Sequence, residues 1–413
     1  MIALIIATVL LSRALGLVVP NVFTSNTAPS NNISTLPSPF PTRQLFQFKK
    51  VGTYIENVAA RFNGDLLFST LSPAPELYLL SGVQSGKLQA NLLYTFPNMT
   101  GLEGITEISP DVFVVVGGKF HSIANPISGT FALWQVSLAG VACPPCGIDS
   151  SGGQPITTKL MDLPKNIFPN GIVSVPGKSG VILVADSFGS LLRVDLNSKE
   201  VNTVAAVPEM SPVPGWPFKI GINGIKIYDG HVYWTNSFAA TMYRMPIKES
   251  GFASTMESPS PSSDDNGKTS DDSSNGEINS TIWPGSTSTA HKDLGNKNDA
   301  TKNVTVETVA FLPVTFMDDF AVGSDGSLWI TTNPNNTVIA MNQKTRKTAV
   351  VAGGMYEEVL AGVNAAVFGR LDTDRHILYV VTAGGLTSPV NGTFVEPAKV
   401  MAIDTSRAQD EGF

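Results

Sequence analysis

Around residues 54–72, 169–187, 222–237 and 317–332 the chain repeats one pattern of polar and apolar positions. A carboxylate or carboxamide opens a short β-type run, a turn follows, and a second apolar run ends in small polar residues. The polar openings are Glu56-Asn57, Asn170-Gly171, Asn223-Gly224 and Asp318-Asp319, and the second runs read LLFST, ILVADS, VYWTNS and LWITT. Asn63-Gly64, Gly177 to Gly180, Asp229-Gly230 and Asp325-Gly326 supply the turns between the runs, as hairpins require. With 28 prolines and 37 glycines no long stripe of helical period survives. Counting the related stretches at 102–118 and 365–385 gives six units. A repeated β unit that cannot bury its faces alone predicts an all-β, six-bladed β-propeller. Residues 43–50 (RQLFQFKK) alternate like an edge strand and are expected to close the ring against the last blade. Each unit then delivers its polar residue to an equivalent place, the mouth of the central channel.

The flanks of the repeat change the picture in three places. Residues 1–16 hold an apolar run from Ile2 to Leu11 closed by Ser12-Arg13 and then Ala14-Leu15-Gly16. The run is too short to span a bilayer and reads as a secretory signal peptide, which predicts a secreted or secretory-pathway protein with no membrane association once the leader is removed. Residues 17–42, rich in Asn, Ser, Thr and Pro, are expected to be a disordered lead-in to a propeller over 43–408. Residues 254–302, dominated by Ser, Asp, Asn, Gly and Thr, read as a disordered insertion between two blades.

Charge and cysteines narrow the function classes. Only 15% of the 413 residues are charged, the net charge is −7 and there is no basic block, so a nucleic-acid partner is not expected. Six Asn-x-Ser/Thr sequons, at Asn32, Asn98, Asn279, Asn303, Asn335 and Asn391, fit the secretory route. Cys143-Pro144-Pro145-Cys146 sits among Gly140, Gly147 and its own two prolines, where no helix can start. A small loop disulfide is therefore expected in place of a redox dithiol.

The motifs in order resemble the regucalcin/gluconolactonase-like six-bladed propellers, and more closely a fungal branch of them. Glu56-Asn57-Val58-Ala59-Ala60-Arg61-Phe62-Asn63-Gly64-Asp65-Leu66-Leu67 is similar to that branch's E-N-L-A-V-R-x-N-G-x-L-L. Gly104, Ile105 and Glu107 with Pro110, Asp111, Phe113 and Val115 resemble its G-I-x-E and P-D-x-F-x-V. N-G with A-D-S, I-N-G with T-N-S, D-D-F, and F-G-R with Y-V-x-T follow in order. The similarity runs from about residue 45 to 405.

That branch resembles the hetero-Diels–Alderases of tropolone-sesquiterpenoid pathways. The resemblance implies a cyclase that couples an o-quinone methide to a humulene-type alkene in the channel mouth, acting on an apolar polyketide-terpenoid substrate with no required cofactor. Such chemistry needs an enclosing cavity and hydrogen-bond donors toward the heterodiene oxygen. Asn57, Glu107, Asn170, Asn223, Asp318 and Asp319 are the candidate catalytic residues, with Tyr54, Lys119, His121, Phe320 and Arg370 as candidate pocket residues. In the wider family one Glu, two Asn and one Asp hold a divalent cation. By motif position these are Glu56, Asn170, Asn223 and Asp318, an oxygen set suited to Ca²⁺ and to a lactonase or esterase. A non-catalytic binding propeller is the third reading, since fold does not fix function.

Overall fold

A computed structural model gives the fold, and describes residues 33–141, 153–254 and 304–413. Residues 1–16, expected to be a leader, together with Asn32, Cys143, Cys146, Asn279, Asn303 and nearly all of 254–302, lie outside the described residues. The blades are six sheets, five of four antiparallel strands and one of four antiparallel strands with a fifth at its edge, and a separate two-stranded hairpin accompanies them; among the described residues the one 3-10 turn is Pro208–Met210. The innermost strands are Tyr54–Ala60, Gly101–Ser109, Pro169–Ser174, Ile222–Tyr228, Phe320–Val322 and Val363–Phe368, for blades 1 to 6. Blade 6 takes its outer strand from the start of the chain: Thr42–Gln47 pairs antiparallel with Lys399–Asp404, the ring closure expected from the alternation at 43–50. Among the described residues no helix is long and apolar enough to cross a membrane.

Order begins earlier than composition indicates. Ser34–Thr35 adds in parallel to the outer edge of blade 5, while Leu36 and Phe40 are buried, Phe40 against Trp329 at 6.0 Å between ring centroids. Two apolar anchors at this spacing hold a stretch whose average composition reads as disordered.

The core is distributed between neighbouring blades. Trp234 sits in the cluster joining blades 3 and 4 with Leu183, Ala185 and Ile225, and Trp329 in the one joining blades 5 and 6 with Val380 and Ile403. Burial of each such side chain contributes about 1.5–3 kcal/mol, and no blade supplies both halves of its own interface. Every inner strand starts at the same end of the channel, the mouth. The long connections 119–131, 206–221 and 383–398 cross that end, and the tight hairpins around Gly64, Gly230 and Gly326 cross the far end.

Candidate functional site

Five inner strands carry a register shift at one equivalent point. The ladder skips Glu56, then Glu103-Gly104, Asn170-Gly171, Asn223-Gly224 and finally Asn364. A β-bulge leaves its extra residue unpaired and re-aims the side chain. In blade 5 the strand starts one residue later, but Asp318 N–H still donates to Thr331 O at 3.0 Å. Six blades thus present Glu56, Glu103, Asn170, Asn223, Asp318 and Asn364 to the axis, all of them buried.

The small polar residues that end the second strands are what lock this ring together. Hydroxyls of Ser69, Ser187, Thr235 and Thr331 donate to backbone carbonyls of the next blade: Glu103 (3.0 Å), Ile222 (2.9 Å), Asp318 (2.6 Å) and Asn364 (2.5 Å). Between blades 6 and 1 the Asn364 Nδ2 donates to Ile55 O at 2.7 Å. The repeated Ser/Thr hydroxyls and the Asn364 carboxamide thus tie neighbouring blades through backbone carbonyls at the level of the ring.

Side-chain contacts link the ring members. Asn223 Nδ2 donates to Ser237 Oγ at 2.9 Å and to Asp318 Oδ1 at 3.1 Å. Asn333, at the mouth end of blade 5, donates to Asn364 Oδ1 at 2.8 Å and approaches the Tyr54 hydroxyl at 3.4 Å. Glu56 and Glu103 hydrogen-bond to each other. Burial, and then the neighbouring Glu103, push the Glu56 carboxyl well above the usual range. Burial does the same to Asp318, with Glu56 and Asp319 adding to it and the amides of Asn223 and Asn333 opposing it. Glu103 is raised to about 8, by burial first and then by Asp318, while its bond to Glu56 works against the rise. Burial and three carboxyls likewise hold the Tyr54 hydroxyl protonated. Desolvation disfavours the charged forms, so the ring carboxyls hold their protons more tightly than free acids do.

Just below the ring the inner strands pinch together. A Cβ on Gly104 would fall 2.6 Å from Asn170 O, and one on Gly171 would fall 2.6 Å from Asn223 O. A Cβ on Gly224 would fall 2.3 Å from Asp319 Oδ1. Asn57 and Asp319 hold the equivalent positions in blades 1 and 5 and line a cavity beyond the pinch. Asp318 therefore belongs to the ring, and Asp319 to the far side, where its Oδ1 pairs with Lys226 Nζ at 2.5 Å.

Above the ring, a hairpin formed by Phe120–Ser122 and Asn125–Pro126 lies over the mouth. Its Phe120 and Ile123 pack with Tyr54, Leu71, Ala383 and Leu386. Phe120 also meets Phe131 and Phe168 edge-on at 5.5 and 6.0 Å. Trp216 stacks on Phe238 at 4.4 Å and Phe316 meets Phe238 at 4.9 Å. The mouth is roofed by aromatic and aliphatic side chains, most of them half-buried.

The structure distributes the sequence candidates unevenly. Tyr54, Asn170, Asn223, Asp318 and Glu56 converge at the ring. Lys119 and His121 flank Phe120 on the mouth hairpin, with His121 exposed. Phe320 is fully buried between blades 4 and 5, a core residue and not a pocket wall. Glu107 and Arg370 lie at the far end: they pair directly, Glu107 Oε1 accepts from Asp111 N–H at 2.7 Å, and Arg370 also reaches Ala60 O at 3.2 Å. Each follows the ring position of its inner strand by four to six residues, Glu103 to Glu107 and Asn364 to Arg370, which carries it through the pinch. Among the described sequons Asn98 and Asn391 are exposed, whereas Asn335 is buried and accepts from Thr315 N–H at 2.9 Å. Sequence reading missed Glu103, Asn364 and Asn333.

No family model matches the chain. A protein of Sarocladium schorii provisionally named hetero-Diels-Alderase asR5 is 23% identical over 401 residues, covering 90% of this chain and 86% of that one. Another from a Phoma species, provisionally named hetero-Diels-Alderase, is 24% identical over 245 residues, 54% of this chain and 66% of that one. This chain is similar to fungal hetero-Diels-Alderases. Among solved structures, the calcium-binding protein regucalcin of Agrobacterium tumefaciens superposes with a TM-score of 0.50 at 13% identity, covering 89% of this chain and 95% of that one. A luciferin-regenerating enzyme gives 0.53 at 12% identity with the same coverages. These likenesses concern the propeller fold.

Proposed function

We propose that this protein is a hetero-Diels–Alderase-type cyclase that joins an o-quinone methide to a humulene-type alkene at the channel mouth. What carries the reading is a sequence match spanning 90% of the chain, falling on a channel whose buried carboxyls hold their protons more tightly than free acids do, beneath an aromatic roof. In the [4+2] step the heterodiene carbon and oxygen form one C–C and one C–O bond to the alkene. No atom leaves and no redox partner is required. Charge accumulates on the heterodiene oxygen as its ring becomes aromatic, and fixed donors stabilise it. Tyr54 O–H, the protonated Glu103 and the ring amides are the groups that could donate, while the Phe120 hairpin and the Phe238 cluster would hold the apolar partner in reacting geometry. The ring is buried, so the mouth hairpin must yield for the substrates to enter. The test is to generate an o-quinone methide in the presence of humulene, with and without the protein, and to resolve the adducts chirally. A single enantiomer formed faster than background supports the proposal, and an unchanged rate with a racemic mixture overturns it.

One observation favours a second reading: three carboxyls and three amides meet at the axis, and among the described residues no Lys or Arg is bonded to the ring carboxyls. Among the described residues no three His, Cys, Asp or Glu side chains group closely enough to hold a metal by themselves, so a cation there would need amide oxygens. The donor types of Glu56, Asn170, Asn223 and Asp318 fit Ca²⁺. Asn223, however, faces Asp318 with its N–H and would have to turn its amide over. When bound, such an ion would polarise a lactone carbonyl. Calcium-dependent lactone hydrolysis abolished by EDTA would move this reading ahead of the first.

A further inference from the structure

Beyond the level where Gly104, Gly171 and Gly224 approach the neighbouring inner strands lies a cavity of about 190 Å³. Its walls are largely aliphatic, with Ile105, Ile172 and Val367 among them, and five polar residues from four blades line it: Asn57, Thr106, Glu107, Lys226 and Asp319. What these groups still have to offer follows from what they already bond. Asn57 Oδ1 accepts from Val58 N–H at 2.9 Å, which leaves its Nδ2 hydrogens. Thr106 Oγ1 accepts from Ser174 N–H at 3.1 Å, which leaves its O–H. Lys226 gives one N–H to Asp319 and rests 5.2 Å from the centre of the Phe320 ring, which leaves further N–H groups. Both oxygens of Glu107 are already engaged, by Asp111 N–H and by Arg370. The unspent capacity of the cavity is thus mostly donors.

We infer that this far-end cavity is a second binding site, distinct from the ring, for a small uncharged molecule that presents a carbonyl-type oxygen to Lys226 and Asn57. The size sets the scale of the ligand: the volume lies below the ~300–1,000 Å³ of pockets for drug-sized molecules. The walls ask for an apolar body. Asp319 offsets the ammonium, so a carboxylate gains little over a neutral oxygen and meets a like charge. An oxygen acceptor on a compact hydrocarbon meets the donors left open on Lys226, Asn57 and Thr106. The inference does not depend on which chemistry the mouth performs.

Titration of the full-length protein with cyclohex-2-enone and with cyclohexene, followed by ligand-observed NMR, tests it. The enone should bind saturably and about tenfold or more tightly than the hydrocarbon, the range expected for a hydrogen bond from a charged donor. The double variant Lys226→Met/Asp319→Asn leaves no lone buried charge and should lose that preference. Ala59→Phe, at a half-buried wall position, should fill the cavity and abolish binding, while Phe120→Ala at the mouth should leave the enone affinity in place. Equal affinity for the two probes, or enone binding that survives both far-end variants and is lost in Phe120→Ala, would overturn the inference.

Discussion

Glu56 of blade 1 donates a hydrogen bond to Glu103 of blade 2 inside the channel, and burial keeps both carboxyls protonated. Glu103 shifts from 4.5 to about 8. The folded state therefore binds a proton that the unfolded chain has released, and this stabilisation is complete below the unfolded value and lost as pH rises through about 8. Glu56, Asp318 and Tyr54 act in the same direction, and Lys226 is engaged by Asp319 beyond the pinch. In EDTA the melting temperature should fall steadily between about pH 5 and pH 9, and Glu103→Gln should flatten that slope. A melting temperature that rises over the same interval would contradict the protonated ring.

Arg61, wholly buried, donates to both oxygens of Asp111 at 2.8 and 2.5 Å and lies 3.6 Å from Asp65. It ties the end of the blade 1 inner strand to blade 2 beside the Glu107–Arg370 pair. Replacing Arg61 by Met strands two acids in a dry site, and breaking such a pair costs about 3–5 kcal/mol. Asp111→Asn in the same background should recover part of the loss. Denaturant midpoints of the single and double variants check this, and additive losses would mean that the pair is not coupled.

The pinch rests on glycines whose missing Cβ is required by packing, not by backbone conformation. At Gly171 the added carbon would meet Asn223 O at 2.6 Å and Ile225 N at 3.0 Å. Both are backbone atoms of an inner strand that cannot step aside. Gly171→Ala should cost about 1–3 kcal/mol and push Asn170 off the axis, so that activity falls more than stability. Gly153→Ala, where nothing lies within 4 Å, is the control. Thermal melts together with single-turnover rates of both variants test the point.

The blade count, the closure of blade 6 by 43–50 and four of the ring positions were legible because each left a pattern of short period in the chain. Glu103 was legible too: Glu103-Gly104-Ile105 repeats Asn170-Gly171-Ile172 and Asn223-Gly224-Ile225. The motif centred on Glu107 drew attention four residues too far along the strand, to a side chain beyond the pinch. Asn364 left less trace, since Val363-Asn364-Ala365-Ala366 carries no glycine to mark the bulge. Asn333 reaches the ring from a second strand, a placement that blade geometry alone decides. Phe320 sits beside Asp319 in sequence, yet alternation turns its ring into the interface of blades 4 and 5. Adjacency in sequence located the level of the channel but not the face.

Phe120 packs at the mouth against the cluster of Tyr54, Leu71 and Ala383, just above the ring. Two aromatic partners meet it at 5.5 and 6.0 Å, and it is only partly buried. Truncation to Ala should therefore cost less stability than the ~3–5 kcal/mol of a fully buried Phe. Its larger effect should fall on the reaction. With the roof opened, water reaches Tyr54 and the apolar partner loses a wall, so the adduct should form with lower stereoselectivity and a raised KM. Restoring bulk with Phe120→Leu should recover KM before it recovers selectivity, because an aliphatic side chain refills the volume without the flat face that orients a ring. If Phe120→Ala left both selectivity and KM untouched while lowering the melting temperature, the hairpin would be packing for the fold alone.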